Sequence, residues 1–314
     1  MPTDKIHISI DASSLSHSAC ILDYKLTVVD GYKETRQSAP MVYGTAIHKF
    51  IDTMFKTGGD LGKSLELGIN SFRVPKSGKR NQMYLEDEKH FISSCHGLWY
   101  NHIISGKDTY KIMTMPDGTP ATEINFSIPF YEDDILVVNL SGTIDKLGQF
   151  NNGGLFAVGD WKTSSSGEPE IHVESYDMAA QLRMYTLALR LMYRHFPSSI
   201  LGTIGAGRIG AFIDGIYIRP KASDNEYARS DVYEFSDRDI AEFEVGLNNL
   251  CHRLSKQLEE KIFPREGILN GSCKKGYGKC TFYNYCRQEQ PHLKELILKR
   301  DLKQESYNPL SFHD

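Results

Sequence analysis

The chain has 314 residues, of which 40% are hydrophobic, and it carries a formal net charge of −4. This length and composition are typical of a globular protein with one large domain or two modest ones. The negative net charge excludes a protein that coats nucleic acid through bulk positive charge, but it is compatible with an enzyme that has a local basic groove.

Targeting signals and cysteine usage indicate the compartment. The first residues contain no basic segment followed by an apolar run, so the sequence predicts no secretion signal, and no apolar stretch approaches membrane-spanning length. Six cysteines are present, and three of them lie within fourteen residues. This pattern favours a cytoplasmic protein with cysteine metal ligands over a secreted disulfide scaffold. If a phage encodes the chain, we expect it in the host cytoplasm.

Apolar residues at helical spacing predict the helices. We expect them at residues 44–56, 85–105, 176–195, 237–261 and 293–303, with a short helix from residue 13 to Cys20. Residues 25–29 are expected to be extended. Residues 58–82 are expected to form a solvated loop, whose basic side chains are candidates for phosphate contacts. These are Arg73, Lys76, Lys79 and Arg80.

A change to alternating apolar residues predicts antiparallel strands in the middle of the chain. We expect strands at residues 111–114, 122–130 and 135–146, and a later one at 211–218. Residues 151–154, with the sequence Asn-Asn-Gly-Gly, predict a hairpin turn that leads into a further strand containing Asp160.

Two consecutive predicted strands each deliver a carboxylate at their ends. Because strand side chains alternate, Asp160 and Lys162 project to one side while Trp161 points away. If the two strands pair, Asp145 and Asp160 meet at one edge with Lys162 beside them. Two carboxylates would hold a hard divalent cation, and the lysine would orient a nucleophilic water or stabilise developing negative charge.

Four further side chains are candidates for the same site. His48, one helical turn after Gly44, is either a core-edge histidine or a neutral imidazole ligand to the same metal. Glu123 is expected to be an exposed strand carboxylate rather than a ligand. Gln181 and Tyr185 are four residues apart and therefore neighbours on one helix face. Core packing would account for Tyr185, whereas Gln181 indicates a polar role.

Residues 205–210 match the glycine pattern GxGxxG. We reject it as a dinucleotide-binding motif, because it follows a predicted helix and precedes a predicted strand, the reverse of the required order. A flexible connector is the better interpretation. The sequence has no GxxxxGK[ST] motif, so the chain has no P-loop motor of its own.

Cys273, Cys280 and Cys286 are too close in sequence for three separate core positions, which favours a metal centre. Such a centre needs a fourth ligand, and Cys20 is the best remaining candidate. Cys95 and Cys251 are expected to be core residues. The same loop carries basic residues and aromatic rings that are candidates for phosphate contacts and base stacking. They are Lys274, Lys275, Tyr277, Lys279, Phe282, Tyr283 and Tyr285.

Taken together, these motifs resemble the RecB-like branch of the PD-(D/E)XK nucleases, and more narrowly its members with an iron–sulfur cluster. CRISPR-adaptation nucleases, the nuclease subunits of AddAB-type recombination complexes and several phage exonucleases are of this kind. The resemblance covers about residues 13–287. It rests on Cys20, Gly44-x3-His48, Asp145, Asp160-Trp161-Lys162, Gln181-x3-Tyr185 and the three C-terminal cysteines.

The resemblance implies an α/β fold in which helices flank a restriction-endonuclease-like central mixed sheet. Residues 1–290 would form a single nuclease domain, whose N- and C-terminal segments are joined by a four-cysteine metal cluster. Residues 291–314 would form a peripheral helix and tail.

The resemblance also implies roles in catalysis. His48, Asp145 and Asp160 would bind Mg²⁺ or Mn²⁺, with the carbonyl of Trp161 a further candidate ligand. Lys162 would position or activate the attacking water. The carboxylate of the Asp160-Trp161-Lys162 motif is an Asp, where Glu is commoner among relatives.

Further roles concern DNA and the cysteines. Gln181 and Tyr185 would match the family's QxxxY motif, which contacts DNA beside the active site. The four cysteines would hold a [4Fe–4S] cluster. Their x6 and x5 spacing differs from the x2 and x5 spacing of relatives, and zinc is the alternative metal.

The expected function is therefore a metal-dependent DNA nuclease, an exonuclease acting on single-stranded or free ends in recombination, repair, phage DNA processing or CRISPR adaptation. Expected partners are DNA, a helicase, a recombinase or CRISPR-adaptation protein, and a second copy of the chain. The alternative is a metal-stapled DNA-binding adaptor subunit of a helicase–nuclease complex with a vestigial nuclease site. The intact His48, Asp145, Asp160 and Lys162 argue against it.

Overall fold

The computed structural model describes residues 5–34, 38–73, 80–105, 108–150, 155–165, 167–275, 278–305, 307 and 310. Its strands are β1 (Ile6–Ile10), β2 (Tyr32–Glu34), β3 (Tyr110–Ile112), β4 (Thr122–Glu132), β5 (Leu136–Phe150), β6 (Phe156–Ser164), β7 (Ile209–Tyr217), β8 (Glu226–Arg229), β9 (Tyr233–Glu234), β10 (Lys274–Lys275), β11 (Gly278–Lys279) and β12 (Leu302–Gln304).

The helices are α1 (Ile21–Tyr24), α2 (Ala39–Lys56), α3 (Leu61–Ser71), α4 (Glu88–Trp99), α5 (Pro169–Glu174), α6 (Ala180–His195), α7 (Ile200–Gly205), α8 (Asp237–Glu260), α9 (Gly267–Asn270), α10 (Tyr283–Arg287) and α11 (Pro291–Asp301). Shorter 3₁₀ turns lie at Ser14–His17, Arg80–Glu86 and Ala222–Asp224, and π-helical turns at Lys25–Val29 and Tyr100–Ile104.

The chain divides into two compact units. Unit 1 comprises Met1–Arg36, Asn125–Gly142 and Asp237–Asp314. In it β1 runs parallel to the first part of β5, from the pair Ile6 and Leu136 to the pair Ile10 and Leu140. The antiparallel pair β2 and β12 lies beside a small core that includes side chains of α10 and α11. This core contains Leu26, Phe282, Leu298 and Leu302.

Unit 2 comprises Gln37–Ile124 and Thr143–Ser236. The second part of β5 pairs antiparallel with β3 and β6, β6 runs parallel to β7, and β7 pairs antiparallel with β8 and β9. Helices α2, α3 and α4 form an apolar core that includes Trp161 and Ile216, and α6 packs against β6 and β7. The prediction of an α/β fold with a mixed central sheet flanked by helices is confirmed.

Most predicted helices and strands occur within a few residues of their expected bounds. Helix α2 begins at Ala39, five residues before Gly44, since Pro40 in its first turn needs no backbone hydrogen-bond donor there. The strand β1 at Ile6–Ile10 was not predicted. The expected hairpin turn at residues 151–154 lies outside the described residues.

Two local predictions were wrong. Residues 25–29 are not extended but form a π-helical turn, which buries Leu26 and Val28 in unit 1. Within the expected loop at 58–82, α3 begins after Asp60, whose side chain accepts a hydrogen bond from the backbone nitrogen of Lys63 at 3.0 Å. The partly buried Leu61, Leu65 and Ile69 pack against the unit 2 core, so tertiary packing outweighs the glycine-rich composition.

Among the described residues, no helix is both long enough and apolar enough to cross a membrane.

Candidate metal and catalytic site

The site is built around the neighbouring strands β5 and β6. Lys146 of β5 pairs with Gly159 of β6, so the residues next to them, Asp145 and Asp160, belong to adjacent strands. Asp145 Oδ2 accepts a hydrogen bond from the backbone nitrogen of Trp161 at 2.8 Å. Asp145 and Asp160 are 7% and 1% exposed. The structure therefore buries both predicted carboxylates in one part of the sheet.

His48 and Glu123 join Asp145 in a group with metal-ligand geometry. One ligand atom of each residue lies within 4.8 Å of the other two. His48 reaches the group from α2, and its Nδ1 lies 3.5 Å from Asp145 Oδ2. His48 therefore lies where a ligand to the same metal as Asp145 would have to lie.

The prediction that Glu123 is an exposed strand carboxylate was wrong. Its residue is half-buried and its carboxylate lies beside His48 and Asp145. The backbone at Glu123 has a φ of +48°, in the left-handed region that non-glycine residues rarely adopt. Next to it, the Thr122 hydroxyl donates to Asp52 Oδ1 of α2 at 2.8 Å. This contact fixes the start of β4 against α2, and the unusual backbone places the carboxylate at the cluster.

Gly44 accounts for the close approach of α2 to β6. A Cβ atom at position 44 would lie 2.6 Å from Thr163 Oγ1, which is shorter than ordinary van der Waals contact. The absence of a side chain therefore lets α2 lie against the strand, with His48 one turn further along.

Lys162 is ion-paired with Asp160, and its Nζ lies 2.5 Å from Asp160 Oδ2. Burial disfavours the ammonium, but the charges of Asp160 and Asp145 outweigh it and raise the pKa of Lys162 above its usual value. The side chain is 23% exposed. Lys162 therefore provides a fixed positive charge at the edge of the carboxylates that solvent can reach.

Gln181 and Tyr185, on consecutive turns of α6, both contact Asp160. Gln181 Nε2 donates to Asp160 Oδ1 at 2.7 Å and to the Tyr185 hydroxyl at 2.8 Å. The Tyr185 hydroxyl donates to the same Asp160 oxygen at 3.1 Å. Burial, with the nearby Asp160 and Asp145, raises the pKa of Tyr185 well above its ordinary value, so it remains a neutral donor. The two side chains hold Asp160 Oδ1 and leave Oδ2 to Lys162.

The electrostatics of this set favour a cation. We call His48, Glu123, Asp145, Asp160 and Lys162 the carboxylate cluster. Burial and then the charges of Asp160 and Glu123 raise the pKa of Asp145 well above its ordinary value. Asp160 and Glu123 therefore lie close enough to Asp145 to disfavour its charged form, an effect that a bound cation would offset. Carboxylate oxygens with one imidazole suit Mg²⁺ or Mn²⁺.

The four cysteines of the expected metal cluster all lie in unit 1. Burial and then the thiols of Cys280, Cys20 and Cys273 raise the pKa of Cys286 to about 11, so the four belong to one neighbourhood. Among the described residues, no three of their sulfurs lie within 4.8 Å of one another. With Zn–S bonds of about 2.3 Å, a tetrahedral zinc site needs sulfurs closer than this. The described residues therefore do not show a four-cysteine cluster that joins the terminal segments.

The two remaining cysteines and three of the predicted phosphate-contacting basic residues have the burial expected of them. Cys95 and Cys251 are buried, as predicted for core residues. Arg73, Lys274 and Lys279 are exposed. Of the remaining basic and aromatic residues expected here, Lys76, Lys79 and Tyr277 lie outside the described residues, as do the side chains of Arg80 and Lys275.

The aromatic rings near the C-terminal end are less available for base stacking than expected. Phe282 is 2% exposed and belongs to the core of unit 1, so the prediction that it stacks on bases was wrong. Cations already lie over the two tyrosines: Lys279 Nζ is 4.7 Å from the Tyr283 ring centroid, and Lys294 Nζ is 5.3 Å from that of Tyr285.

Comparisons with known proteins leave the function open. No family model matches the chain, and no curated protein matches it. Among solved structures, the chain is similar to the crystal structure of SSO0001, with 14% sequence identity over 78% of this chain and 84% of that chain. The TM-score is 0.26, so this likeness carries no argument about fold or function.

Proposed function

We propose that the protein is a metal-dependent deoxyribonuclease of the RecB-like PD-(D/E)XK type, with a restriction-endonuclease-like sheet. The observation that carries the proposal is the carboxylate cluster, in which His48, Glu123 and Asp145 have metal-ligand geometry and Lys162 is ion-paired with the neighbouring Asp160. Crowding of buried carboxylates raises the pKa of Asp145, and a bound cation would remove this cost.

The donor atoms fit a divalent cation, and each residue has a distinct part. His48, Asp145 and Asp160 would hold Mg²⁺ or Mn²⁺, and Glu123 adds a carboxylate that the resemblance did not include. When bound, the cation would polarise the scissile phosphate and lower the pKa of a water. Lys162, fixed by Asp160, would orient the attacking water and offset negative charge that develops on the phosphate.

Gln181 and Tyr185 would act by positioning Asp160. Their hydrogen bonds to Asp160 Oδ1 fix the orientation of the carboxylate, as partners of metal ligands commonly do. Contact with DNA through the exposed side of Gln181, as the resemblance implies, is compatible with this role.

The proposed substrate is DNA with single-stranded or free ends, and the proposed compartment is the cytoplasm. Exonuclease action and a helicase, recombinase or CRISPR-adaptation partner follow from the resemblance. A [4Fe–4S] cluster on Cys20, Cys273, Cys280 and Cys286 is part of the proposal. Its support is their shared neighbourhood, with sulfurs spaced more widely than a zinc site requires.

The test is the degradation of end-labelled linear single-stranded DNA with Mn²⁺ or Mg²⁺, using protein purified without oxygen. Wild type is compared with Lys162→Ala, and a closed circular strand is the second substrate. We expect metal-dependent loss of the linear strand only, abolished in Lys162→Ala with folding intact. An absorbance spectrum of wild type and Cys280→Ala tests the iron–sulfur cluster, which the variant should lose.

Each alternative outcome has a defined meaning. Cleavage of the circle would make the protein an endonuclease. Retained cleavage in Lys162→Ala would contradict the role of the lysine. If both proteins bound DNA and neither cleaved it, the adaptor function would replace the proposed one.

A further inference from the structure

The segment from Pro169 to Met178, which we call the 169–178 segment, is firmly attached to unit 2. The buried Tyr217 hydroxyl of β7 donates to the carbonyl of Pro169 at 2.8 Å. Val173 is 1% exposed, and a Cβ atom at Gly215 would lie 2.7 Å from Val173 Cγ1. The glycine therefore provides the space that α5 occupies on the sheet.

The end of the segment is fixed by Arg183 of α6. Arg183 Nη1 donates to the carbonyl of Asp177 at 2.6 Å, and its Nη2 lies 3.8 Å from the sulfur of Met178. The guanidinium itself lies 4.5 Å from the ring centroid of Phe235. The backbone between α5 and α6 is thus held at a defined place before α6 delivers Gln181 to Asp160.

The fixed segment places two rings beside the carboxylate cluster. Lys162 Nζ lies 5.8 Å from the Tyr176 ring centroid, and the His172 ring meets Tyr176 edge-on at 5.4 Å. Both rings are partly exposed. Burial and then the charge of Lys162 lower the pKa of His172, which disfavours its charged form. The Tyr176 ring therefore presents an aromatic face beside the Lys162 ammonium, and the His172 ring lies next to it.

Two large apolar side chains on the same segment remain in solvent. Ile171 is 68% exposed and Met178 is 79% exposed. A cation–π contact to Lys162 would account for the Tyr176 ring alone. It would not account for the two exposed apolar side chains, although their backbone is fixed by the contacts of Pro169 and Asp177. Rings and apolar side chains beside a phosphate-attracting lysine match the chemistry of a nucleotide, a charged phosphate joined to a flat base.

We propose that the 169–178 segment binds an unpaired base of the DNA strand whose phosphate lies at the carboxylate cluster, with Tyr176 as the stacking ring. The inference rests on the proposed nuclease function and specifies its substrate as a strand with unstacked, unpaired bases. A base in a duplex keeps its faces against its neighbours and offers none to Tyr176.

The test measures the binding of a short single-stranded oligonucleotide by fluorescence anisotropy, with Ca²⁺ and the inactive Lys162→Met protein as the parent. Because the lysine is absent, an effect of Tyr176 through a cation–π contact is removed. Added to this parent, Tyr176→Leu should weaken binding about five- to hundredfold, the range for loss of one base–ring stack. Tyr176→Phe should stay within about twofold of the parent, since the ring remains.

A matched control is Tyr193→Leu, which removes a tyrosine of α6 that is 47% exposed and should not change binding. A series of oligonucleotides, each with one abasic site at a different position, provides the second change of a double-mutant cycle between the ring and a base. At one position the missing base should weaken binding to the parent but scarcely weaken binding to Tyr176→Leu, since the two losses are one interaction.

Two results would overturn the inference alone. The first is that Tyr176→Leu binds the oligonucleotide as tightly as the parent does. The second is that Tyr176→Leu weakens binding equally for the intact strand and for every abasic strand. If the parent failed to bind and wild type failed to cleave, the proposed function would fall, and this inference with it.

Discussion

Two sets of charged side chains occupy neighbouring residues of the same strands in unit 2, and they differ in the charges that surround their buried carboxylates. One is the carboxylate cluster, with Asp145 of β5 and Asp160 of β6. The other, which we call the ion-pair network, includes Lys146, the residue after Asp145. Its members are His102, Asp108, Lys146, Asp214 and Arg229.

The ion-pair network matches each carboxylate with a cation. Lys146 is 1% exposed and ion-paired with Asp214, and its Nζ lies 3.3 Å from the Trp161 ring centroid. Arg229 bonds to Asp214 through Nε at 2.7 Å and to Asp108 through Nη1 at 2.9 Å. Each carboxylate of this network therefore has a cation partner.

The pKa values move in opposite directions in the two sets. Burial alone would raise the pKa of Asp214, but Lys146 and Arg229 outweigh it and hold the value below the ordinary one. Burial raises the pKa of Asp145 well above the ordinary value, and neighbouring carboxylates add to the effect. Paired cations thus hold the pKa of Asp214 low, whereas crowded carboxylates raise that of Asp145, an effect that the proposed cation would offset.

The largest expected effect is in the ion-pair network. Asp214→Asn should lower the free energy of unfolding by about 3–5 kcal/mol, because it leaves the buried Lys146 ammonium without its carboxylate. Urea denaturation followed by circular dichroism measures this. The double variant Lys146→Met, Asp214→Asn should be less destabilised than Asp214→Asn. A double variant destabilised by the sum of the Lys146→Met and Asp214→Asn effects would show that the two side chains act independently.

Acid should weaken the same network. The pKa values of Asp108 and Asp214 are lowered in the folded state, so their contribution is complete above the unfolded value of about 4 and is lost as the pH falls below it. The stability difference between wild type and Asp108→Asn should therefore narrow as the pH falls from about 5 to about 2. Urea unfolding across this range measures it, and a constant difference would contradict the assignment.

In the carboxylate cluster, removal of a carboxylate should raise the free energy of unfolding instead of lowering it. Asp145→Asn removes one of three crowded carboxylates while its side-chain oxygen can still accept from the Trp161 nitrogen. With a chelator present, the variant should be more stable than wild type by about 1–2 kcal/mol, because it removes one of the carboxylates whose crowding raises the pKa of Asp145. Thermal unfolding measures it. Asp108→Asn, expected to destabilise, is the matched control of opposite sign.

The smallest expected effect concerns Glu123. Glu123→Gln should raise the Mn²⁺ concentration for half-maximal cleavage by about tenfold, the lower end for weakening a metal site through one partner. Glu66→Gln, at an exposed position of α3, should leave it unchanged. Equal Mn²⁺ requirements in the two variants would exclude Glu123 from the site.

The sequence predicted the parts of the site that follow from local periodicity. Alternation along β6 correctly put Asp160 and Lys162 on one side and Trp161 on the other, and helical spacing paired Gln181 with Tyr185. These relations depend only on the geometry of one strand or one helix. The mixed sheet and most helix bounds were predictable for the same reason.

Relations between distant segments were not predictable. The position of the Glu123 carboxylate depends on the left-handed backbone conformation of Glu123 itself and on the contact of Thr122 with α2. Lys146 and Asp214 each interrupt an apolar strand, a signal that could have suggested a buried pair, but not which residue meets which. At residues 25–29, β-branched residues favoured an extended segment, and burial of Leu26 and Val28 in a helical turn prevailed.

The most direct test of the difference between the two sets is a calorimetric titration of the chelator-treated protein with Mn²⁺. Wild type, Asp145→Asn and Asp108→Asn are compared at neutral pH. We predict saturable binding to wild type and to Asp108→Asn, with binding lost in Asp145→Asn. Equal Mn²⁺ binding by Asp145→Asn and wild type would contradict the assignment of the carboxylate cluster as the metal site.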